Sequence, residues 1–244
     1  EVRAVAMHAV RLVGDPANLP RMLLNAARDP DDPLRALAMK AIAALGARAK
    51  EVMAELPGFL KDTDAAVRTA AATALGALKE GGQAVLPALE AAIDDPEESV
   101  RVAALEALGA LMGKEEAERL VPRLAEKLKD TSQSVRAAAA EALGKAGSLL
   151  DDASAAVKPL MAAVADQSEE VAVAALAGLK SMGSKAKEAL PAIMEGLKTG
   201  SAAVKTAAVD AVGAMGEAAG EVRPMMMRMM GSKDLDPALE DREG

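Results

Sequence analysis

The sequence predicts an all-α solenoid. Three observations carry that expectation: a phrase repeated at a fixed period, a proline that recurs once per period, and a core vocabulary of Ala, Leu, Val and Met with almost no aromatics. The phrase is a β-branched or large apolar residue, usually followed by Arg, that opens an Ala-rich run. It begins at Val2-Arg3, Leu34-Arg35, Val67-Arg68, Val100-Arg101, Val135-Arg136, Val171-Ala172 and Val204-Lys205, with steps of 32, 33, 33, 35, 36 and 33 residues. A period in this range marks an array whose units bury their apolar faces only against their neighbours. The expected organisation is therefore one array over residues 1–244, of about seven helix-pair units opening near 2, 34, 67, 100, 135, 171 and 204, with residues 231–244 starting a further truncated unit or a tail.

Each phrase opens a helix. In Val67 to Leu78, large apolar residues stand at Val67, Leu75 and Leu78 and small ones at Ala70, Ala71 and Ala74. This is helical spacing, with small residues where a neighbouring helix comes close. The same frame holds for Val100, Leu105, Leu108 and Leu111, and for Val135, Leu143 and Ala146. Gly14, Gly46, Gly147, Gly183 and Gly216 each lie twelve residues after an opening residue. A glycine just past the last periodic residue is expected to stop the helix. Gly76, Gly109, Gly144 and Gly213 fall inside the helix, where glycine costs about 1 kcal/mol against Ala; close backbone packing is the expected reason.

The second helix of each unit carries the proline: Pro20, Pro57, Pro87, Pro122, Pro159, Pro191 and Pro224. An interior proline removes a backbone hydrogen bond and kinks a helix, so a helix is expected to start or bend near each one, on the outer wall. Lys185 to Ala189 read as helical ahead of Pro191. Between the helices lies an acidic turn. Asp29, Asp62, Asp95, Asp130 and Asp166 each precede the Arg position by six residues, and Thr199 takes the sixth place. An Asp there is expected to accept N–H bonds at the helix start. Stacked Asp and Arg should form a ladder of charge-assisted hydrogen bonds, weakened near the C-terminus by Ala172, Lys205 and Thr199.

Composition narrows the function. The net charge is −8 and Phe59 is the only aromatic, whereas nucleic-acid binders need a basic stripe and, for single strands, stacking rings. The absence of Cys removes disulfides and thiolate metal sites and leaves the redox compartment open. Charges interrupt every apolar run before it reaches membrane-spanning length. No signal peptide is visible, which leans toward the cytoplasm, but the first residue is Glu and the chain reads as a window cut from a longer array. Ends cut through a unit would expose apolar helix sides, to be covered by flanking repeats or by end-to-end self-association.

The Leu-Pro-x-Leu pattern, the turn Asp and the Val-Arg-x-x-Ala-x-x-Ala-Leu-Gly run together resemble the HEAT repeat family over essentially the whole chain. The resemblance implies a right-handed superhelix of antiparallel helix pairs, with the Val-Arg helices on the concave face. It also implies a scaffold or adaptor that binds a protein or peptide without catalysis. Family members that hydroxylate with iron carry His-Glu pairs, and those that act on DNA bases carry basic, aromatic grooves; this chain has neither. Bilin lyases contain similar repeats, so a lyase-type or assembly-factor subunit acting on a cofactor-carrying protein is the alternative.

Two columns on the Val-Arg helices are expected to face a partner. Two positions after the opening residue stand Ala4, Ala36, Thr69, Val102, Ala137, Val173 and Thr206; six positions after it stand His8, Lys40, Thr73, Glu106, Glu141, Ala177 and Asp210. From these the partner-binding set is Thr69, Thr73, Val102, Glu106, Ala137, Glu141, Val173 and Asp210, forming a groove for an extended or helical peptide with its basic part toward the C-terminal half. Ordinary solvated surface is the alternative. No catalytic, cofactor or metal residues are assigned. His8, the only histidine, has no partner nearby in sequence. The acidic clusters Asp29–Asp32, Asp94–Glu98 and Asp151-Asp152 lack calcium-loop spacing and are read as caps. Met225, Met226, Met227, Met229 and Met230 could bind cuprous copper but are read as core or terminal packing.

Overall fold

The computed structural model describes residues 18–30, 34–77 and 82–222. Val2-Arg3, His8, Gly14, Asp31, Asp32, Leu78, Pro224, Met225 to Met230 and the 231–244 segment lie outside these residues.

Eleven α-helices and no strand form among the described residues. Five contain or begin at the recurring proline: α1 (Leu19–Arg28), α4 (Leu86–Ala92), α6 (Lys114–Lys127), α8 (Ser154–Ala163) and α10 (Leu190–Thr199). Six carry the Ala-rich run: α2 (Arg35–Leu45), α3 (Ala65–Gly76), α5 (Glu98–Leu111), α7 (Gln133–Leu149), α9 (Glu169–Met182) and α11 (Ala202–Met215). Each Val-Arg helix packs on the proline element before it and on the next Val-Arg helix, so the chain builds two layers that advance one unit at a time. This is the all-α repeat solenoid that the period predicts.

Proline acts in two ways. Pro20, Pro87 and Pro191 sit in the first turn of α1, α4 and α10, where the missing N–H would have had no partner. Pro122 and Pro159 lie inside α6 and α8, and Pro57 lies inside a 3-10 helix, Gly46–Lys61, that takes the place of a proline α-helix. The residues ahead of Pro191 are not the α-helix that their composition suggests. Gly183–Ala189 is a 3-10 segment in which Ala186 has φ −95° and ψ 18°.

The core lies between the layers. The expected apolar frame is buried: Val67, Ala70, Ala71, Ala74 and Leu75, then Val100, Leu105 and Leu108, then Val135, Leu143 and Ala146. The proline layer contributes Leu23, Leu24, Leu56, Leu89, Leu120, Leu124, Leu160 and Ile193.

Glycine does two separate jobs. Gly46, Gly183 and Gly216 end α2, α9 and α11 with φ of 51°, 55° and 59°, a backbone region that side chains disfavour. Gly147 breaks that rule, because α7 runs through it to Leu149. A methyl there would lie 2.3 Å from Met182 Cε, so Gly147 is small to admit a neighbour rather than to stop a helix. The close-packing reading holds best at Gly76 and Gly144, whose added Cβ would lie 2.9 Å from Ala107 Cα and 2.3 Å from Gly178 Cα. At Gly109 the gap to Ala142 Cα is an ordinary 3.4 Å, and Gly213 has no neighbour within 4 Å. Position nine of one Val-Arg helix thus meets position seven of the next.

The turn ladder forms as expected and is denser. Arg68 makes a two-pronged contact with Asp95 (Nε–Oδ2 and Nη2–Oδ1, both 2.8 Å), and Arg136 does the same with Asp166 at 2.8 and 2.9 Å. Arg101 donates to Asp130 Oδ1 at 3.1 Å, and Arg35 pairs with Asp62. Each guanidinium also reaches back to its own turn: Nη1 of Arg68, Arg101 and Arg136 donates to the carbonyl oxygens of Asp62, Asp95 and Asp130 at 2.9, 2.9 and 3.0 Å. The aspartates do not cap the helix N–H groups directly. Their Oδ1 accepts from the N–H of the next residue but one, Asp64, Glu97, Ser132 or Ser168, which is itself the residue before the helix. The capping falls to that residue at Asp64 and Ser132.

The electrostatics follow. Burial alone would raise the Asp130 carboxyl, but the Ser132 N–H, the Arg101 hydrogen bond and charge, and the Lys127 charge outweigh it and hold it below the usual range. The Asp166 carboxyl is held low first by the Arg136 hydrogen bond.

Two outcomes follow for stability. Gly144→Ala should cost about 1–3 kcal/mol through forced backbone separation, while Gly58→Ala, at a position with nothing within 4 Å, should gain about 0.5 kcal/mol; urea unfolding measures both. Arg101→Ala should cost about 1–3 kcal/mol at pH 7, as for hydrogen bonds to charged groups. Because the Asp130 carboxyl is lowered in the fold, this contribution is full above the unfolded carboxyl value of about 3.9 and disappears as pH falls through the lower folded value. Variant and parent should therefore converge in stability near the acid end of a pH series.

Candidate partner-binding groove on the Val-Arg helices

Position six of each Val-Arg helix is solvent-exposed throughout the described units: Lys40, Thr73, Glu106, Glu141, Ala177 and Asp210. Position two is mostly half-buried, at Ala36, Thr69, Val102 and Val173, and Thr206 is exposed. Ala137 departs from the expected exposure. It is buried, because a methyl group on a helix packed from both sides does not reach past its neighbours.

Four of the expected residues come together. Thr69 and Thr73 of α3 face Val102 and Glu106 of α5 across a solvent-open groove of about 350 Å³, completed by Glu97, Glu98, Ser99 and Ala103. Thr69 Oγ1 lies 3.0 Å from Ser99 Oγ and also bonds the Ala65 carbonyl at 2.8 Å, so the hydroxyls tie the two helices at the groove floor. Thr73 Oγ1 donates to the Thr69 carbonyl at 3.0 Å. Glu97, Glu98, Ser99 and Ala103 were missed by the column pattern. The only sequence signal for them is the acidic stretch ahead of Val100; there Asp95 accepts from the Glu97 N–H ahead of the helix rather than capping it, and Glu98 stands on the groove wall.

On the proline layer Glu55 pairs with Arg21 and Arg28, Glu90 with Arg119 and Arg123, and Asp94 with Arg123 and Lys127. Asp151 pairs with Lys114, and Asp152 Oδ1 accepts from the N–H and hydroxyl of Ser154 although the residue before the helix is Ala153. No cluster able to hold a metal ion occurs among the described residues. Glu98, Glu106 and Glu141 have no ion pair among the described residues, and neither do Glu118, Glu126 and Glu195 of the proline helices. Partial burial pushes the Glu106 carboxyl up, and the Glu141 charge pushes it further. Farther along, Asp210 pairs with Lys180 at 2.7 Å, and Val173 leans on the core.

The sequence matches the model for HEAT repeats over residues 20–109, 86–166 and 157–240. The chain belongs to the HEAT-repeat family. Solved structures share its fold. A designed armadillo repeat protein in complex with the peptide (KR)4 matches with TM-score 0.64 at 22% identity, covering 81% of this chain and 99% of that one. YibA of Escherichia coli matches with TM-score 0.64 at 19% identity, covering 95% and 82%. Kap121p bound to Nup53p matches with TM-score 0.63 at 18% identity, covering 82% of this chain and 23% of Kap121p. No curated protein matches the chain. No helix among the described residues of this HEAT-repeat chain is long and apolar enough to cross a membrane.

Glu106→Gln should raise the thermal midpoint at pH 7, since it removes an ionised group that the fold disfavours. A raised carboxyl penalises folding only while ionised, so the gain should fade as pH falls through the raised folded value and be gone below the unfolded value of about 4.3. Parallel melting curves at neutral and acid pH give the readout.

Proposed function

We propose that the protein is a non-enzymatic scaffold that holds a polypeptide along the Val-Arg face, with Lys or Arg side chains of the partner against Glu98, Glu106 and Glu141. The observation that carries this reading is the juxtaposition of two like charges, Glu106 and Glu141, at the same exposed register of neighbouring Val-Arg helices. Neither has an ion pair among the described residues, and the Glu141 charge helps push the Glu106 carboxyl up. A cationic segment would supply the missing counter-charge.

The polar groups of the face also repeat along the array rather than converging on one point, an arrangement suited to a polymer and not to a reacting bond. Neighbouring helices stand about 8–10 Å apart, and an extended chain advances about 3.3 Å per residue. One unit therefore spans about three residues of an extended partner. Two proteins of this fold are complexed with a polypeptide, one with the (KR)4 peptide and one with Nup53p, which supports a polypeptide as the occupant.

A displayed random-peptide library selected against the folded chain tests the proposal. Enriched peptides should be rich in Lys and Arg, and Glu106→Lys with Glu141→Lys should weaken them at least about tenfold while circular dichroism stays unchanged. Peptides that bind parent and double variant equally would place the partner elsewhere. Turnover of a small substrate by the intact chain would overturn the scaffold reading.

A further inference from the structure

We infer that the array bends at one joint, between α9 and α11, where both devices that lock neighbouring units are missing. The first device is the ladder. At the Arg position α9 has Ala172, and at the Asp position of the next turn stands Thr199. Neither side chain can carry the ion pair that links the preceding units at Arg68–Asp95, Arg101–Asp130 and Arg136–Asp166. The Thr199 hydroxyl turns back into its own helix and donates to the Glu195 carbonyl at 2.9 Å. The helix cap is kept, with Ser201 Oγ accepting from the Val204 N–H at 3.4 Å as Ser132 Oγ does from Val135. The rung is gone, and so are the aspartate's bond to the N–H two residues on and the arginine's reach-back to its turn.

The second device is the small residue at position nine, which brings α3 and α7 against the next helix at Gly76 and Gly144. In α9 that position is Lys180. Its ammonium spans to Asp210, and both side chains are about half exposed (50% and 52%). Such a pair is screened by salt and holds geometry weakly. The interface on the other side of α9 is the opposite case. Gly144 and Gly178 meet backbone to backbone, the Ser181 hydroxyl is shared between the carbonyls of Gly178 at 2.7 Å and Gly144 at 3.0 Å, and Lys185 Nζ, just past α9, donates to the carbonyls of Ser148 and Leu150 at 3.1 and 2.6 Å. So α9 is fastened to α7 and moves with it.

Apolar contact through Val204 and Ala208, both buried, keeps α11 docked, so the motion is angular rather than a separation. A change of angle there moves Asp210 relative to Glu106 and Glu141, which shifts the C-terminal end of the face without disturbing the groove between α3 and α5. The joint stands whether or not a cationic polypeptide is the partner.

The chain has no cysteine, so introduced thiols are unique sites for spin labels. Ala77, Lys145 and Ala214 are exposed at the same register of α3, α7 and α11. Ala77→Cys with Lys145→Cys spans two laddered interfaces; Lys145→Cys with Ala214→Cys spans one laddered interface and the joint. Pulsed-dipolar distances should be broader for the second pair. Ala172→Arg with Thr199→Asp, which installs the missing rung, should narrow that distribution to the width of the first and slow amide exchange in 202–215 about tenfold, the factor expected of a charge-assisted hydrogen bond. Arg101→Gln removes an existing rung and should broaden the first pair, a test that does not depend on the added arginine being accommodated. Equal widths for the two pairs in the parent would overturn the joint. An unchanged first pair in Arg101→Gln would overturn the ladder as the source of stiffness.

Discussion

From α2 to α9, each unit is fastened to the next by one arginine. The guanidinium of Arg68, Arg101 or Arg136 donates to carbonyls of its own turn and to the aspartate of the following turn, and that aspartate in turn accepts the N–H that shapes its own loop. Burying an arginine is costly unless its donors are met. Here a planar fork with fixed donor directions meets two carbonyls and a carboxylate, although at Arg101 the buried Nε is left without a hydrogen bond. Lysine in the same place would offer a single point of charge. The rest of the array can repeat because this contact sets how one helix pair follows another.

Small residues set the other dimension. The Val-Arg helices are packed on several sides and carry Ala or Gly at their tightest crossings, Gly76 against Ala107 and Gly144 against Gly178. A core of this kind needs few aromatics: Phe59, the single one, is buried beside aliphatic neighbours of the proline layer. Stability in such an array is close to a sum of neighbour terms. Local differences in those terms therefore become local differences in stiffness, as between the glycine-tight approach of α9 to α7 and its looser approach to α11.

Charge is partitioned between the two roles of the molecule. Carboxylates that build the array are matched and, at Asp95, Asp130 and Asp166, held below their usual range by guanidinium neighbours. Glu106, on the groove, is instead raised by partial burial and by the Glu141 charge of the neighbouring helix.

The period, the helical frame, the proline layer and the Asp–Arg ladder were all legible in the sequence, because each rests on a side chain repeating at a fixed interval. Exposure of position six was legible for the same reason. What the sequence could not decide was anything that depends on contacts between units of unequal local structure. Gly147 looked like a helix stop, yet it makes room for Met182. Ala137 sat in a column expected to be open, yet it is buried. The groove formed between α3 and α5 from Thr69, Ser99 and Val102 together with Glu98, which no column contained. A repeat determines which side chain stands at each register. Only the packed helices determine whether that side chain meets solvent, a neighbour or an open groove, since their separation depends on the bulk present at every crossing.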